Sequence, residues 1–305
     1  MGKKNLISVL DMKDEWADLV DLAIKLKKER GSHGTPLKGK TLIMVFEKPS
    51  TRTRISFDVA MTELGGNALH IDASKIHMGQ HSETVEDTAK VMSRFGHGIM
   101  YRAFDYKVMD KVGESATIPV ISGLDNLEHP CQALADMVTF KERKGSFRGK
   151  KLVYLGDGNN VCNSLLYASA ILGLDMVACC PATRMPNAEI MLGAARIADA
   201  NGSKIIASHD PKEACIDADA LYTDTWISMG DDTPVDTAVK LFSMYQINSG
   251  LLSLAKKDCT VLHCLPAHRG YEITGEVMDG PQSAVLDQAE NRLHAQKAIL
   301  CTLLR

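Results

Sequence analysis

The sequence lacks a dominant charge, a long apolar run, a paired-cysteine motif and any internal repeat. Lysine plus arginine number 35 and aspartate plus glutamate 38, a formal net charge of −3. That leaves no field for a nucleic-acid surface, so any anion site must be local. No apolar stretch approaches the ~20 residues of a membrane helix, and no membrane partner is expected. Near the amino terminus, Lys3 and Lys4 precede only a short stretch stopped by Asp11, too little for a signal-peptide core. Leu6 stands where a myristoylation signal wants Ser or Thr. The eight cysteines are scattered, Cys179 and Cys180 adjacent, with no C-x-x-C. That usage reads as free thiols in a reducing cytosol, so the expected location is cytoplasmic. No 20–50-residue period and no low-complexity segment occur.

What is present is ordinary globular material: 45% hydrophobic and 24% charged residues in 305, enough for two domains with separate cores. Short β-rich runs alternate with helical patterns, the signature of parallel α/β sheets. The reading begins with a helix from Asp14 to Arg30. It continues through strand TLIMVF, helix TRTRISFDVAMTEL, strand NALHI, helix TVEDTAKVMSRF, strands GIMYR and IPVIS, and a helix from about Pro130. KERKGSFRGKK, between Phe140 and Lys151, is the candidate linker, a solvated connector. The pattern then restarts with KLVYL, a helix from about Asn159 to Leu172, DMVAC, NAEIMLGAARIADA, SKIIA, ALYTD and CTVLHC, ending in a helix near 283–304. The expected fold is α/β in two domains, each a parallel sheet flanked by helices: 1–140, with helix 283–305 packing back on it, and 141–282.

The chemically loaded residues fall where predicted strands end, and in open α/β sheets ligands bind beyond the strands' carboxyl ends. A site in a cleft between the domains is therefore expected. In FEKPSTRTR a strand ends, Pro49 breaks the direction, and a helix starts near Ser50. Free first-turn N–H groups and the helix dipole invite an anion there. Ser50, Thr51 and Thr53 add hydroxyls, and Arg52 and Arg54 add forked guanidinium groups. Helix starts ordinarily carry acids, so two arginines at this one make sense if a bound dianion offsets them.

Five further segments carry weaker signals. In EHPCQALAD, His129 is placed to donate to an oxygen gaining charge, and Gln132 to meet a neutral polar group; a capped helix alone also fits. GDGNNV lacks the third glycine of a dinucleotide fingerprint, since Val161 stands there, and reads better as a tight turn displaying Asn160. DTWISMG puts the Asp224 carboxylate and Ser228 on a loop, where Asp also simply caps turns. In HCLPAHRGYEIT, Cys264 is open to several readings — nucleophile, metal ligand, substrate contact or packing — with packing the default for cysteine. Arg292, beside Asn291 in the final helix, is oddly placed for a surface charge.

Together, STRTR, HPCQ, D-x-x-x-SMG, HCLPAHRG and ENRLHAQKA, in that order, resemble the aspartate/ornithine carbamoyltransferase superfamily, most closely its ornithine-specific branch, over nearly the whole chain. The resemblance implies a carbamoyl-phosphate domain followed by an amino-acid domain, a homotrimer or multiple of trimers with active sites near subunit boundaries, and no cofactor or metal. The implied carbamoyl-phosphate residues are Ser50, Thr51, Arg52, Thr53, Arg102, His129, Gln132, Cys264, Leu265 and Arg292. Of these, Arg102, His129 and Cys264 are the implied catalytic residues. Asn160, Asp224, Ser228 and Met229 are implied to bind ornithine. The implied reaction is attack of ornithine's neutral δ-amine on the carbamoyl carbon, giving citrulline and phosphate in arginine or urea-cycle metabolism. Aspartate or putrescine are the alternative acceptors. One departure stands out: where the family has Gln-Leu-Gly, this chain has His77-Met78-Gly79 followed by Gln80, and either His77 or Gln80 takes the glutamine's place. Three rival readings are a carbamoylated Cys264, a zinc hydrolase drawing on His129, Cys131, His263, Cys264 or His268, and a non-enzymatic binding module.

Overall fold

The computed structural model of the chain describes residues 3–79, 83–227 and 231–305. It divides into two units, Met1–Ala135 with Asn291–Arg305, and Asp136–Glu290. Each holds one wholly parallel sheet with helices about it, the α/β class that the alternating pattern predicts. Among the described residues no helix is long and apolar enough to cross a membrane. All eight cysteines are unpaired.

Unit 1 opens with a 3-10 run, Val9–Glu15, leading into α1 (Trp16–Lys28). Helical structure thus starts earlier than the expected Asp14, because Ser8 and Asp11 form a reciprocal capping box. Then come β1 (Thr41–Phe46), α2 (Thr51–Glu63), β2 (Asn67–Asp72), α3 (Val85–Phe95), β3 (Gly98–Arg102), α4 (Tyr106–Ser115), β4 (Val120–Leu124) and α5 (Pro130–Lys144), which belongs to unit 2 from Asp136 on. The sequence reading missed α4. α5 runs on through Lys144, so part of the candidate linker is helix, and Phe140 stacks on Phe147 with ring centroids 5.8 Å apart. β1 is buried at five of its six positions, the near-continuous apolar run of a strand covered on both faces.

Unit 2 continues with β5 (Lys151–Leu155), α6 (Asn160–Leu172), β6 (Asp175–Cys179), α7 (Ala188–Asn201), β7 (Ile205–Ser208), α8 (Pro211–Cys215), β8 (Ala220–Thr223), α9 (Val235–Phe242), α10 (Ser249–Leu252), β9 (Thr260–His263), α11 (Gly275–Met278) and the start of α12 (Val285–Leu304), which belongs to unit 1 from Asn291 on. α6 is buried from Val161 to Ala170 and ends at Gly173, whose φ of 73° is the left-handed cap glycine adopts most cheaply.

Strand order is β2-β1-β3-β4 in the first sheet and β7-β6-β5-β8-β9 in the second. The chain reverses its direction of travel across the sheet between β1 and β3 in one and between β5 and β8 in the other. Such switch points open a crevice at the strands' carboxyl ends, where ligands of α/β sheets bind. The segment after β1 carries Ser50–Thr53 and β3 itself ends in Arg102; those after β5 and β8 carry Asn159–Asn160 and Asp224.

Candidate active site

The unit 1 site is built on the first turn of α2. Ser50 caps it, its hydroxyl accepting from the N–H of Thr53 at 3.3 Å, and the turn holds no acidic residue. Thr53, 1% exposed, turns its hydroxyl oxygen inward, where it accepts from Arg292 Nη2 at 3.1 Å and Arg102 Nη1 at 3.5 Å. Arg292 also donates through Nη1 to Gln132 Oε1 at 2.6 Å. One threonine oxygen thus gathers the end of β3, the start of α2 and the final helix, while Gln132 is joined through Arg292.

Backbone irregularity aims Arg102. Its pairing with β4 skips Gly123 and resumes at Leu124, a register shift at the strand end. Leu124 has φ 145°, a region costly for a side-chain-bearing residue, where strain commonly marks a functional site. The loop that follows is held twice. Asp125 Oδ1 accepts from the N–H groups of Leu127 and Glu128, each at 2.8 Å, and Glu128 accepts from Ser8 Oγ and the N–H of Val9. His129, 5% exposed, is delivered by this anchored loop to the start of α5.

Burial, then Arg292 and Arg52, pull the Arg102 guanidinium down to about 10. Burial and the cations Arg292, Arg102 and Arg52 hold His129 well below its usual value, so it is a neutral imidazole at pH 7. Arg102 Nε is buried without a hydrogen-bond partner. Cations packed at a helix amino terminus, each disfavouring the others' charge, make a site whose natural complement is a multiply charged anion. Beside it a cavity of about 480 Å³ is lined by Glu47, Lys48, Ser50, Thr51, Arg54 and His70 among others.

In unit 2 the site forms around Asp224, 8% exposed, just beyond β8. Its Oδ2 accepts from Asn159 Nδ2 at 2.7 Å, and its Oδ1 from the N–H of Thr225 at 2.7 Å and the Cys264 thiol at 2.9 Å. Asn159 caps α6, accepting from the N–H groups of Val161 and Cys162. The sequence reading singled out Asn160, which begins the helix, and missed the neighbour that touches Asp224. Ser228 and Met229 lie outside the described residues, as does Gln80; His77 is exposed.

Cys264 and His263 part company in space. Burial and the Asp224 carboxylate push the Cys264 thiol well above its usual value, so it stays protonated. His263, fully buried, bonds through Nε2 to Glu272 Oε1 at 3.0 Å and accepts the N–H of Leu265 at Nδ1, 2.9 Å. With Nδ1 occupied by that N–H and Nε2 aimed at Glu272, neither ring nitrogen is free to serve as a base for the thiol. Leu265 follows with φ 61°, another strained position at a strand end. Glu272 is a partner that sequence spacing did not reveal. Nor did spacing reveal that ligand atoms of Asp224, His263 and Cys264 lie within 4.8 Å of one another, the one metal-sized grouping found among the described residues. Both ring nitrogens of His263 are already engaged and the thiol is spent on Asp224, so these atoms are accounted for without an ion.

Two family models match the chain. Aspartate/ornithine carbamoyltransferase, carbamoyl-P binding domain, covers residues 4–142, and the Asp/Orn binding domain of the same family covers residues 148–303. Ornithine carbamoyltransferase of Methanobrevibacter smithii is 51% identical over 301 residues, 99% of each chain. Among solved structures, ornithine carbamoyltransferase from Pyrococcus furiosus has a TM-score of 0.96 at 44% identity, covering 99% of this chain and 97% of that one. The enzyme of that name from Gloeobacter violaceus has a TM-score of 0.90 at 42% identity, covering 100% and 99%.

Proposed function

Because this chain belongs to the aspartate/ornithine carbamoyltransferase family, we propose that it transfers the carbamoyl group of carbamoyl phosphate to the δ-amine of L-ornithine, giving L-citrulline and phosphate. The observation that carries the reading is the crowd of cations around Thr53: Arg102 and Arg292 both donate to its hydroxyl oxygen, and burial, then Arg292 and Arg52, pull Arg102 down, a cost that a bound dianion offsets.

Carbamoyl phosphate is taken by unit 1. Ser50, Thr51, Arg52 and Thr53 hold the phosphoryl oxygens on the α2 amino terminus. Arg102, His129 and Thr53 receive the carbamoyl oxygen, and Gln132 the carbamoyl nitrogen. As charge builds on that oxygen, fixed donors stabilise it at no reorganisation cost, His129 as a neutral N–H donor. Arg292 holds the Gln132 amide by its oxygen, which fixes its NH₂ as the end offered to substrate.

Ornithine is taken by unit 2, where Asp224 accepts its α-ammonium and Asn160, with Ser228 and Met229, its remaining α-substituents. Cys264 acts as an uncharged thiol that orients Asp224, and with Leu265 presents backbone carbonyls to substrate. The δ-amine, once deprotonated, forms a bond to the carbamoyl carbon as the carbon–oxygen bond to phosphate breaks, and the proton it then sheds ends on the released phosphate. The balance needs no cofactor. A carboxylate as the main charged group of this half-site suits an ammonium better than aspartate's second carboxylate. We further propose a cytoplasmic homotrimer or multiple of trimers.

The test offers carbamoyl phosphate with ornithine, aspartate or putrescine and measures the carbamoylated product. Citrulline from ornithine, with the other two acceptors far slower, is expected; no citrulline at any pH between 7 and 9 sinks the proposal.

A further inference from the structure

One residue outside the proposed substrate contacts is tied to both loops of the unit 2 site. Arg184 ends a short 3-10 turn, Ala182–Arg184, after β6. Its carbonyl accepts the N–H of Gly158 at 2.9 Å, one residue before the Asn159–Asn160 pair. The approach is so close that a Cβ on Gly158 would lie 2.2 Å from Pro186 N and 2.7 Å from Arg184 O. Its guanidinium spans from that loop to the segment following Ser228–Gly230. Nη1 lies 3.0 Å from Asp231 Oδ2 and 3.8 Å from Asp157 Oδ1, and Nη2 donates to Thr233 Oγ1 at 2.7 Å. Asp231 and Thr233 are themselves locked, Asp231 Oδ1 accepting both the N–H and the hydroxyl of Thr233.

This is more than a solvated ion pair. The side chains of Asp157 and Asp231 are 12% and 19% exposed and that of Arg184 30%, with two guanidinium nitrogens engaged. Burial pushes Asp157 up to about 6, Asp224 and Asp231 push the same way, and Arg184 opposes them. Three carboxylates thus share the region, and Arg184 pairs closely with Asp231 and more loosely with Asp157.

We propose that Arg184 is a positioning residue for the amino-acid half-site: by clamping the Asp157–Gly158 loop to Asp231 and Thr233, it fixes the backbone that leads into Asn159 and Asn160 and reserves Asp224 for the substrate ammonium. The inference rests on the ornithine reading above.

Steady-state kinetics on the full chain test it. Arg184→Ala should raise the KM for ornithine about tenfold or more, the loss of a charge-assisted hydrogen bond, while the KM for carbamoyl phosphate stays within about twofold. Arg184→Lys, which keeps charge but not the fork, should recover part of the loss. Thr233→Val removes one prong without a change in shape and should move ornithine KM the same way, by less; it decides the matter if Arg184→Ala fails to fold. An ornithine KM within about twofold of the parent in every soluble variant overturns the inference, as does a parallel rise in both KM values with a falling Tm. The parent is assayed first: absence of citrulline overturns the ornithine reading and this inference together, whereas an active parent with indifferent variants overturns this inference alone.

Discussion

Cys264 donates its thiol proton to Asp224 at 2.9 Å while the adjacent His263 points to Glu272. A cysteine in that state orients a carboxylate and does not attack a carbon. Cys264→Ala should keep measurable turnover with a raised KM for ornithine, and intact-protein mass spectrometry of the quenched parent should show no carbamoyl adduct. Complete loss of activity together with a trapped adduct would restore the covalent route.

Arg102 is expected to act on the transition state. Arg102→Ala should lower kcat by ~10²–10³, the usual cost of one donor to a developing oxyanion, and change the KM for ornithine little. An unchanged kcat contradicts the assignment.

His129 ties stability to pH. Its pKa in the folded chain lies well below its ordinary value, so as pH falls through about 6.5 the unfolded chain binds a proton that the folded one refuses. The stability it contributes is therefore complete above about 6.5 and declines as pH falls toward the depressed value. Asp125 and Asp157, both pushed up to about 6 by burial, act in the opposite sense below that pH. Urea denaturation of the parent and of His129→Asn at pH 8 and pH 5.5 separates them. The parent should lose more stability between the two than the variant, and equal losses would show that His129 titrates normally.

Lys297 is fully buried, and its ammonium contacts Glu63 and the His33 ring, Nε2 at 3.2 Å. Glu63 also accepts from Arg30 Nε and Nη2. Burial raises the Glu63 carboxyl, but the bonds from Lys297 and Arg30 outweigh it and hold it low. Glu63→Ala should cost about 3 kcal/mol, near the lower end for stranding a buried charge. Adding Lys297→Met should return much of that loss. If the double variant is no more stable than the single, charge stranding is not the cause.

Legibility in the sequence followed range. TLIMVF, KLVYL and the STRTR turn announce themselves because strand burial and helix starts are local. Helix α4 escaped because it is only ten residues long, with two valines and Gly113 among them, residues weak in helix propensity. Asn159 and Asn160 are indistinguishable on paper, since which of two neighbours caps is decided by backbone geometry. The junctions that make the sites, Thr53 to Arg292 and His263 to Glu272, depend on how the chain folds back, and no spacing rule encodes them.

Parallel strands give a sheet two unlike rims. In both sheets the chemistry crowds the rim where strands finish, so the opposite rim, which includes the returns at Gly96–His97, Gly145–Lys150 and Gly202–Lys204, is left without it. Length changes accumulated by descent belong on that quiet rim, and so do affinity tags, fluorophores and tethers.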